Sequence, residues 1–238
     1  MTSRRLAVPA RLKRLLTGRP SPGPAGQQVS DPNFIGFDKY RDHGAYHWRE
    51  LEKNQEYRAK IQLLEGLVKD GDACLDLGCG DGAYVYSLSK RGAEVVGVDA
   101  DVHAARLAGE QLARAGATNA RCLNLALSQV DGASVGRESF DLVYSMDVIE
   151  HLPEPTELLD VACRMVAPGG TIAIGTPLYL GDHLVSEYHV KEYTRDEFEA
   201  LVGSRLRLDR VEILRDRRLD GKMYEESFIV GIGRPLAA

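Results

Sequence analysis

The segment MDVIEHL sets Asp147, Glu150 and His151 at i, i+3 and i+4, so a helical turn would present all three on one face. Two carboxylates and an imidazole in that arrangement can ligate a divalent cation such as Mg²⁺ or Mn²⁺. Without a cation, the imidazole can take a proton from a hydroxyl group. A further imidazole, His189, stands in the downstream segment YHVKEYTRDEF. His151 is thus the first candidate for a general base or metal ligand, Glu150 its neighbour, and His189 the second candidate. The plainer alternative gives the glutamate a capping or ion-pairing role and makes the histidine a pocket wall.

Such groups act only on something held beside them, and residues 74–84, CLDLGCGDGAY, read as the holder. A short apolar strand, Ala73 to Leu77, carries one carboxylate, Asp76, and opens into Gly78, Gly80 and Gly82. A simple turn needs one glycine; three at this spacing let backbone approach a ligand with no Cβ in the way. A helix from Ala83 to Arg91, stopped by Gly92, would aim its N-terminal amides at the same place. About 20 residues on, VVGVDAD is an apolar strand ending in Asp99, placed to accept hydrogen bonds from a ribose diol. Gly78 and Gly80 also fit the first two positions of a dinucleotide loop, with Ala83 at the third, so a dehydrogenase is a rival at this point.

The rest of the chain alternates strand and helix. Strands are expected near Glu94–Val98, Arg121–Leu125, Phe140–Tyr144 and Thr171–Gly175. Helices are expected at Val102–Ala115, with Asp101 as cap and Gly116 as stop, and near Pro155–Val166. Thr194 and Glu197 form a capping box before a last helix, Arg195–Val202. Closing strands near Leu208–Leu214 and Ser227–Ile232 flank Asp220-Gly221, an antiparallel hairpin signal. Repeated βα units imply an α/β fold with a parallel sheet covered on both faces.

The order LDLGCGDG, VVGVDAD, FDLVYS, VIEHL, VAPGG and TIAIGTP resembles the class I S-adenosylmethionine-dependent methyltransferases over roughly residues 72–198. The resemblance implies a doubly wound, mostly parallel seven-stranded sheet with a C-terminal antiparallel hairpin, and S-adenosylmethionine as cofactor. It implies that Asp76 helps hold the methionine amino group, that Gly78, Cys79, Gly80 and Gly82 hug the methionine and ribose, and that Asp99 and Ala100 meet the ribose. Asn124 stands where the family usually has Asp near the adenine, and Leu125, Ser145 and Met146 complete the cofactor set. The first half of the acidic-histidine segment is similar to ubiquinone-pathway O-methyltransferases. Together with His189 it also resembles the metal-dependent small-RNA 2′-O-methyltransferases, which would make Asp147, Glu150, His151 and His189 metal ligands. Asp147 there replaces the family's Glu.

Before the glycine loop, Phe34 to Trp48 concentrates aromatic residues and two histidines, followed by a helix over about Arg49 to Lys69 with Tyr57, Ile61, Leu64 and Val68 on one stripe. The family often uses such segments as a lid, which makes Tyr40, Tyr46, His47 and Trp48 candidate pocket walls; an aromatic staple closing the core is the equal alternative. The loop Leu178 to Val190 adds Tyr179, His183 and Tyr188 as acceptor-binding candidates.

The 238 residues, 44% hydrophobic, suffice for one substantial core, and three parts are expected: a basic arm over 1–30, a lid and helix over 31–70, and the cofactor-binding domain over 71–238. The arm carries six of the 30 basic residues and none of the 35 acidic ones, leaving an acidic body that argues against broad nucleic-acid binding. The arm reads as a peripheral membrane or partner contact, or as a plain disordered tail. Four cysteines without CxxC spacing and the lack of a long apolar run point to a cytoplasmic, disulfide-free protein. The fourth-strand segment reads SMDV, not the NPPY of adenine-N6 enzymes, and no Pro-Cys nucleophile is present. The expected function is therefore O-methylation of a small hydroxylated acceptor: a sugar, lipid-linked saccharide, polyketide or phenol. The alternatives are a metal-assisted 2′-O-methyltransferase of RNA ends and a non-catalytic cofactor-binding scaffold; oligomeric state is not specified by the sequence.

Overall fold

A computed structural model describes residues 32–34, 39–51, 53–181, 185–214, 217–219, 222–224 and 227–237. The basic arm and His183 lie outside the described residues. Short helices α1 (Lys39–His43) and α2 (Tyr46–Glu50) lead to α3 (Gln55–Glu65). Then β1 (Ala73–Leu77), α4 (Ala83–Ser89), β2 (Glu94–Asp99), α5 (Val102–Arg114) and β3 (Ala120–Asn124) alternate. The chain continues through α6 (Gly132–Val135), β4 (Phe140–Met146), α7 (Pro155–Met165), β5 (Val166–Pro177) and α8 (Arg195–Gly203). It closes with β6 (Leu206–Leu214), β7 (Arg217–Leu219), β8 (Lys222–Tyr224) and β9 (Phe228–Pro235).

Seven strands form one sheet in the order β3-β2-β1-β4-β5-β9-β6, and β7 pairs with β8 as a separate ribbon. The first five strands run parallel, whereas β9 enters antiparallel between β5 and β6. All five residues of β1 are buried, as a strand covered on both faces requires. Successive residues supply opposite layers. Leu75, Leu77 and Val143 pack with Leu158, Met165 and Phe198, while Cys74, Leu142 and Tyr144 pack with Leu64, Val85 and Leu88. The chain leaves β1 toward β2 and β3, then returns to build β4 and β5 on the other side. The crevice between the carboxyl ends of β1 and β4 is therefore the place where an open α/β sheet receives a ligand.

Local signals act as expected at several boundaries. The Asp101 carboxylate accepts from His103 N at 2.7 Å and Ala104 N at 3.4 Å to start α5, and Thr194 with Glu197 caps α8. Two elements differ. The expected helix from Arg49 to Lys69 is two helices, α2 ending at Glu50 and α3 starting at Gln55, and Lys53 N and Asn54 N between them both return to Glu50 O. β5 begins five residues early, because Val166 already pairs with Phe140 and the Pro168–Gly170 turn is absorbed into the strand as a shift in register. No described helix is long and apolar enough to cross a membrane.

Candidate active site

The glycine loop is pinned from the sheet side. Gly78 N and Cys79 N both donate to Val98 O at 2.9 Å, and Gly80 N donates to Asp99 Oδ2 at 2.7 Å. Gly78 has φ +83° and Gly80 φ +55°, the left-handed region in which side chains are strained. A Cβ on Gly78 would overlap Val148, and one on Gly80 would overlap the Tyr40 hydroxyl. Gly82 (φ +81°) plays another part, giving closest approach to Ala108 of α5.

Two cavities meet above this loop. The smaller, about 90 Å³, is lined by Asp99, Ala100, Leu125, Leu127 and Val148 among others. The larger, about 440 Å³, is lined on one wall by Lys39, Tyr46, His47 and Asp81 and on the other by Glu150, His151, Tyr188 and His189. Tyr40, Gly78, Asp147 and His151 border both.

Asp99, at the end of β2, spends one oxygen on Gly80 N and the other on Asp101 N at 2.8 Å. Burial pushes its carboxyl up to about 7 against the pull of those two amides. Asp76 is buried, and burial pushes it well above the usual carboxylate range. Its Oδ2 forms no full hydrogen bond among the described residues, but the buried Tyr144 hydroxyl faces the carboxylate and pulls it back down.

On the far wall, β4 ends at Met146, Asp147 follows it, and a 3₁₀ turn runs from Ile149 to His151. His151 Nδ1 lies 2.8 Å from Tyr188 O, a carbonyl that only accepts, so Nδ1 carries a proton; in the neutral ring the lone pair is then on Nε2, which lies 3.9 Å from Glu150 Oε1. His189 Nδ1 is held at 2.7 Å by the buried carboxylate of Glu192, which fixes the same tautomer. Glu150 is fully buried. Its Oε2 accepts from Thr176 Oγ1 at 2.9 Å, and its Oε1 accepts no hydrogen bond among the described residues. Burial and then the Asp147 carboxylate push its carboxyl upward. Ligand atoms of Glu150, His151 and His189 all lie within 4.8 Å of one another.

Asp147 does not join that group. A φ of +58° ends the strand there, so the residue does not continue into the turn as an α-helical i position. Both carboxylate oxygens instead accept from Lys60 Nζ at 2.8 Å. Other expected residues also have different tasks. Asn124 Nδ2 donates to Asp99 O at 2.8 Å, and Ser145 Oγ to Leu77 O at 2.6 Å, so both brace the cradle and line neither cavity. Cys79 and Met146 line the large cavity and Ala100 and Leu125 the small one, whereas Tyr179 is exposed and lines neither.

The sequence reading missed Lys39, Lys60, Asp81 and Glu192. Lys60 had a signal, since it falls on the apolar Tyr57–Leu64 stripe. Glu192 stands three residues after His189. Asp81, between two loop glycines, receives His47 N at 2.8 Å and His47 Nδ1 at 3.2 Å.

A family model described as a methyltransferase domain matches residues 47–216, well over half of the chain. The chain belongs to the class I S-adenosylmethionine-dependent methyltransferases. It is 28% identical over 140 residues to the ubiquinone biosynthesis O-methyltransferase of Paracidovorax citrulli, a match covering 56% of this chain and 57% of that protein. The chain thus spans little more than half the length of that relative. Among solved structures, it shares its fold with a SAM-dependent methyltransferase from Aquifex aeolicus, with TM-score 0.63 and 20% identity over 83% of this chain and 98% of that one. The N-methyltransferase NodS from Bradyrhizobium japonicum, solved with S-adenosylhomocysteine, has TM-score 0.60 and 20% identity, covering 79% and 91%.

The residues present fit the family's cofactor. The Gly78–Gly80 cradle has no room for side chains, and Asp99 borders the small cavity, where its carboxylate would accept from a ribose, whereas Asp76 is buried in β1 and lines neither cavity. An ionised Asp99 accepts hydroxyl hydrogens better than a protonated one. S-adenosylhomocysteine should therefore bind up to about tenfold more tightly at pH 8 than at pH 6. Asp99's contribution to the ligand-free fold runs the other way. Its folded value is raised from 3.8 to about 7, so that contribution is fully present below pH 3.8 and lost as pH rises through 7. Calorimetry across pH, with melting curves of the free protein, reads both slopes; a flat affinity profile would remove Asp99 from the ribose site.

Proposed function

We propose that this chain transfers a methyl group from S-adenosylmethionine to a hydroxyl group of a small acceptor, with phenols and sugars first and lipid-linked saccharides and polyketides next. The supporting observation is the wall formed by Glu150, His151 and His189, where both imidazoles have their Nε2 lone pairs set by the partners of Nδ1. The cofactor, when bound, supplies an electrophilic methyl on a sulfonium. The protein's own tasks are alignment and removal of the acceptor's proton. His151 is the base, because it borders both cavities, and His189 packs edge-on against it with centroids 4.8 Å apart. The name of the Paracidovorax relative agrees with oxygen as the methylated atom.

One observation favours a second reading. Glu150 Oε1 and two imidazole nitrogens backed by Tyr188 O and Glu192 form a donor set suited to a divalent ion. In that case the ion would activate a diol or the end of an RNA strand.

The test incubates the purified chain with methyl-labelled S-adenosylmethionine and catechols, simple phenols, sugars and short RNAs, with chelator or with added Mn²⁺. Label on a phenol or sugar oxygen that persists in chelator is the expected result. Transfer that dies in chelator and returns with Mn²⁺ establishes the second reading. Tight cofactor binding with no transfer to any acceptor would replace both with a scaffold role.

A further inference from the structure

A lysine inside the core needs a reason. Lys60 lies on the lid-side helix α3 and is 1% exposed. Its ammonium donates to both oxygens of Asp147 at 2.8 Å and sits 3.7 Å from the centroid of the buried Phe228 ring. Taking the ammonium out of water is expensive, its partner carboxylate stays 29% exposed, and an apolar residue of the same volume usually serves a fold as well or better. Packing alone gives no reason to retain this pair.

The position of Asp147 supplies one. It is one of four residues that border both cavities, so it stands where the small, ribose-side cavity opens into the large one. A cofactor that occupies the small cavity beside Asp99 and presents its reacting end to an acceptor in the large one must pass through that junction. Asp147 is also fixed in place. Its left-handed φ of +58° turns the side chain out of β4, its N–H donates to Gly175 O at 3.1 Å, and Tyr84 Oη reaches its Oδ2 at 3.4 Å. Burial alone would raise the Asp147 carboxyl, but the Lys60 ammonium, with smaller help from His47 and Lys39, offsets it and holds the carboxyl below the usual carboxylate range.

A lone carboxylate at this point would favour the positively charged donor over the neutral product. Positive charge is lost from sulfur during transfer, so such a carboxylate would stabilise the starting state more than the transition state. We propose that Lys60 is a charge-balancing residue: by neutralising Asp147 at the cavity junction, it keeps the site from discriminating strongly between the sulfonium donor and its thioether product. This rests on the methyltransferase reading above and assigns Lys60 a role in donor-versus-product selectivity.

The experiment measures Kd for S-adenosylmethionine and S-adenosylhomocysteine by calorimetry in the full chain, Lys60→Met, Asp147→Asn and the double variant. Asparagine tolerates the left-handed backbone at 147, so that variant tests the charge without a new strain. Lys60→Met should raise the ratio of product Kd to donor Kd by about tenfold or more. Asp147→Asn, leaving the ammonium unbalanced, should lower the ratio. The double variant should return to within about threefold of the parent. A ratio unchanged in the single variants, whatever happens to melting temperature, would reduce Lys60 to a structural residue. If Lys60→Met does not fold, an unchanged ratio in Asp147→Asn alone overturns the proposal. An unmodified chain that binds neither ligand would instead sink the methyltransferase reading, and this inference with it.

Discussion

Gly78→Ala is expected to weaken S-adenosylhomocysteine binding by more than about 100-fold and to lower the melting temperature by roughly 5–15 °C. Two costs combine. Alanine in the left-handed region costs about 1–2 kcal/mol, and forcing a methyl into a filled space adds about 1–3 kcal/mol. The loop cannot relieve either by moving, because Gly78 N, Cys79 N and Gly80 N are all tied to the end of β2. The obstructing atoms belong to Val148, a stiff β-branched side chain, so the neighbour cannot give either. Gly116→Ala is the matched control: its φ is +68°, yet a Cβ there meets nothing within 4 Å, so it should lose stability and keep affinity. Equal affinities for the Gly78→Ala variant and the parent chain would mean that the cofactor does not use this cradle.

His151→Gln should bind S-adenosylhomocysteine within about threefold of the parent and turn over an accepted phenol about 10²–10⁴-fold more slowly. Glutamine can still donate to Tyr188 O, so the contact that anchors the post-β5 loop has a substitute. The reading that separates a base from a wall is the pH profile. The parent's rate should rise with pH as the imidazole loses its proton, and that limb should vanish in the variant. A variant with a normal profile and a raised KM would make His151 a contact for the acceptor. His189→Gln should give a smaller loss if His189 only supports its neighbour, and a comparable loss with added Mn²⁺ if both bind an ion.

The sheet was legible because its central parallel strands, covered on both faces, are nearly continuous apolar runs, and β1 and β2 are followed by a glycine-stopped and an Asp101-capped helix. The cradle was legible for a related reason: positive φ at successive positions leaves a compositional trace, and Gly78, Gly80 and Gly82 are that trace. The far wall was half legible. Spacing brought Glu150 and His151 together correctly but assumed an α-helical turn. The left-handed Asp147 and the 3₁₀ turn broke that assumption and sent the aspartate elsewhere. What remained hidden depends on docking between distant segments. Asp81 is only a polar residue in a loop until His47 and Trp48 close over it, and Lys60 is only a cation within a stripe until α3 meets the end of β4.

The same docking has an optical consequence. Trp48 is the single tryptophan of the chain. Its indole N–H donates to Asp81 O at 2.7 Å, and its ring stacks on Tyr86 with centroids 4.6 Å apart. One chromophore therefore straddles the seam between the N-terminal helices and the cofactor loop. Its emission is an intrinsic gauge of whether that seam is shut, readable in milliseconds without a label, an acceptor or turnover.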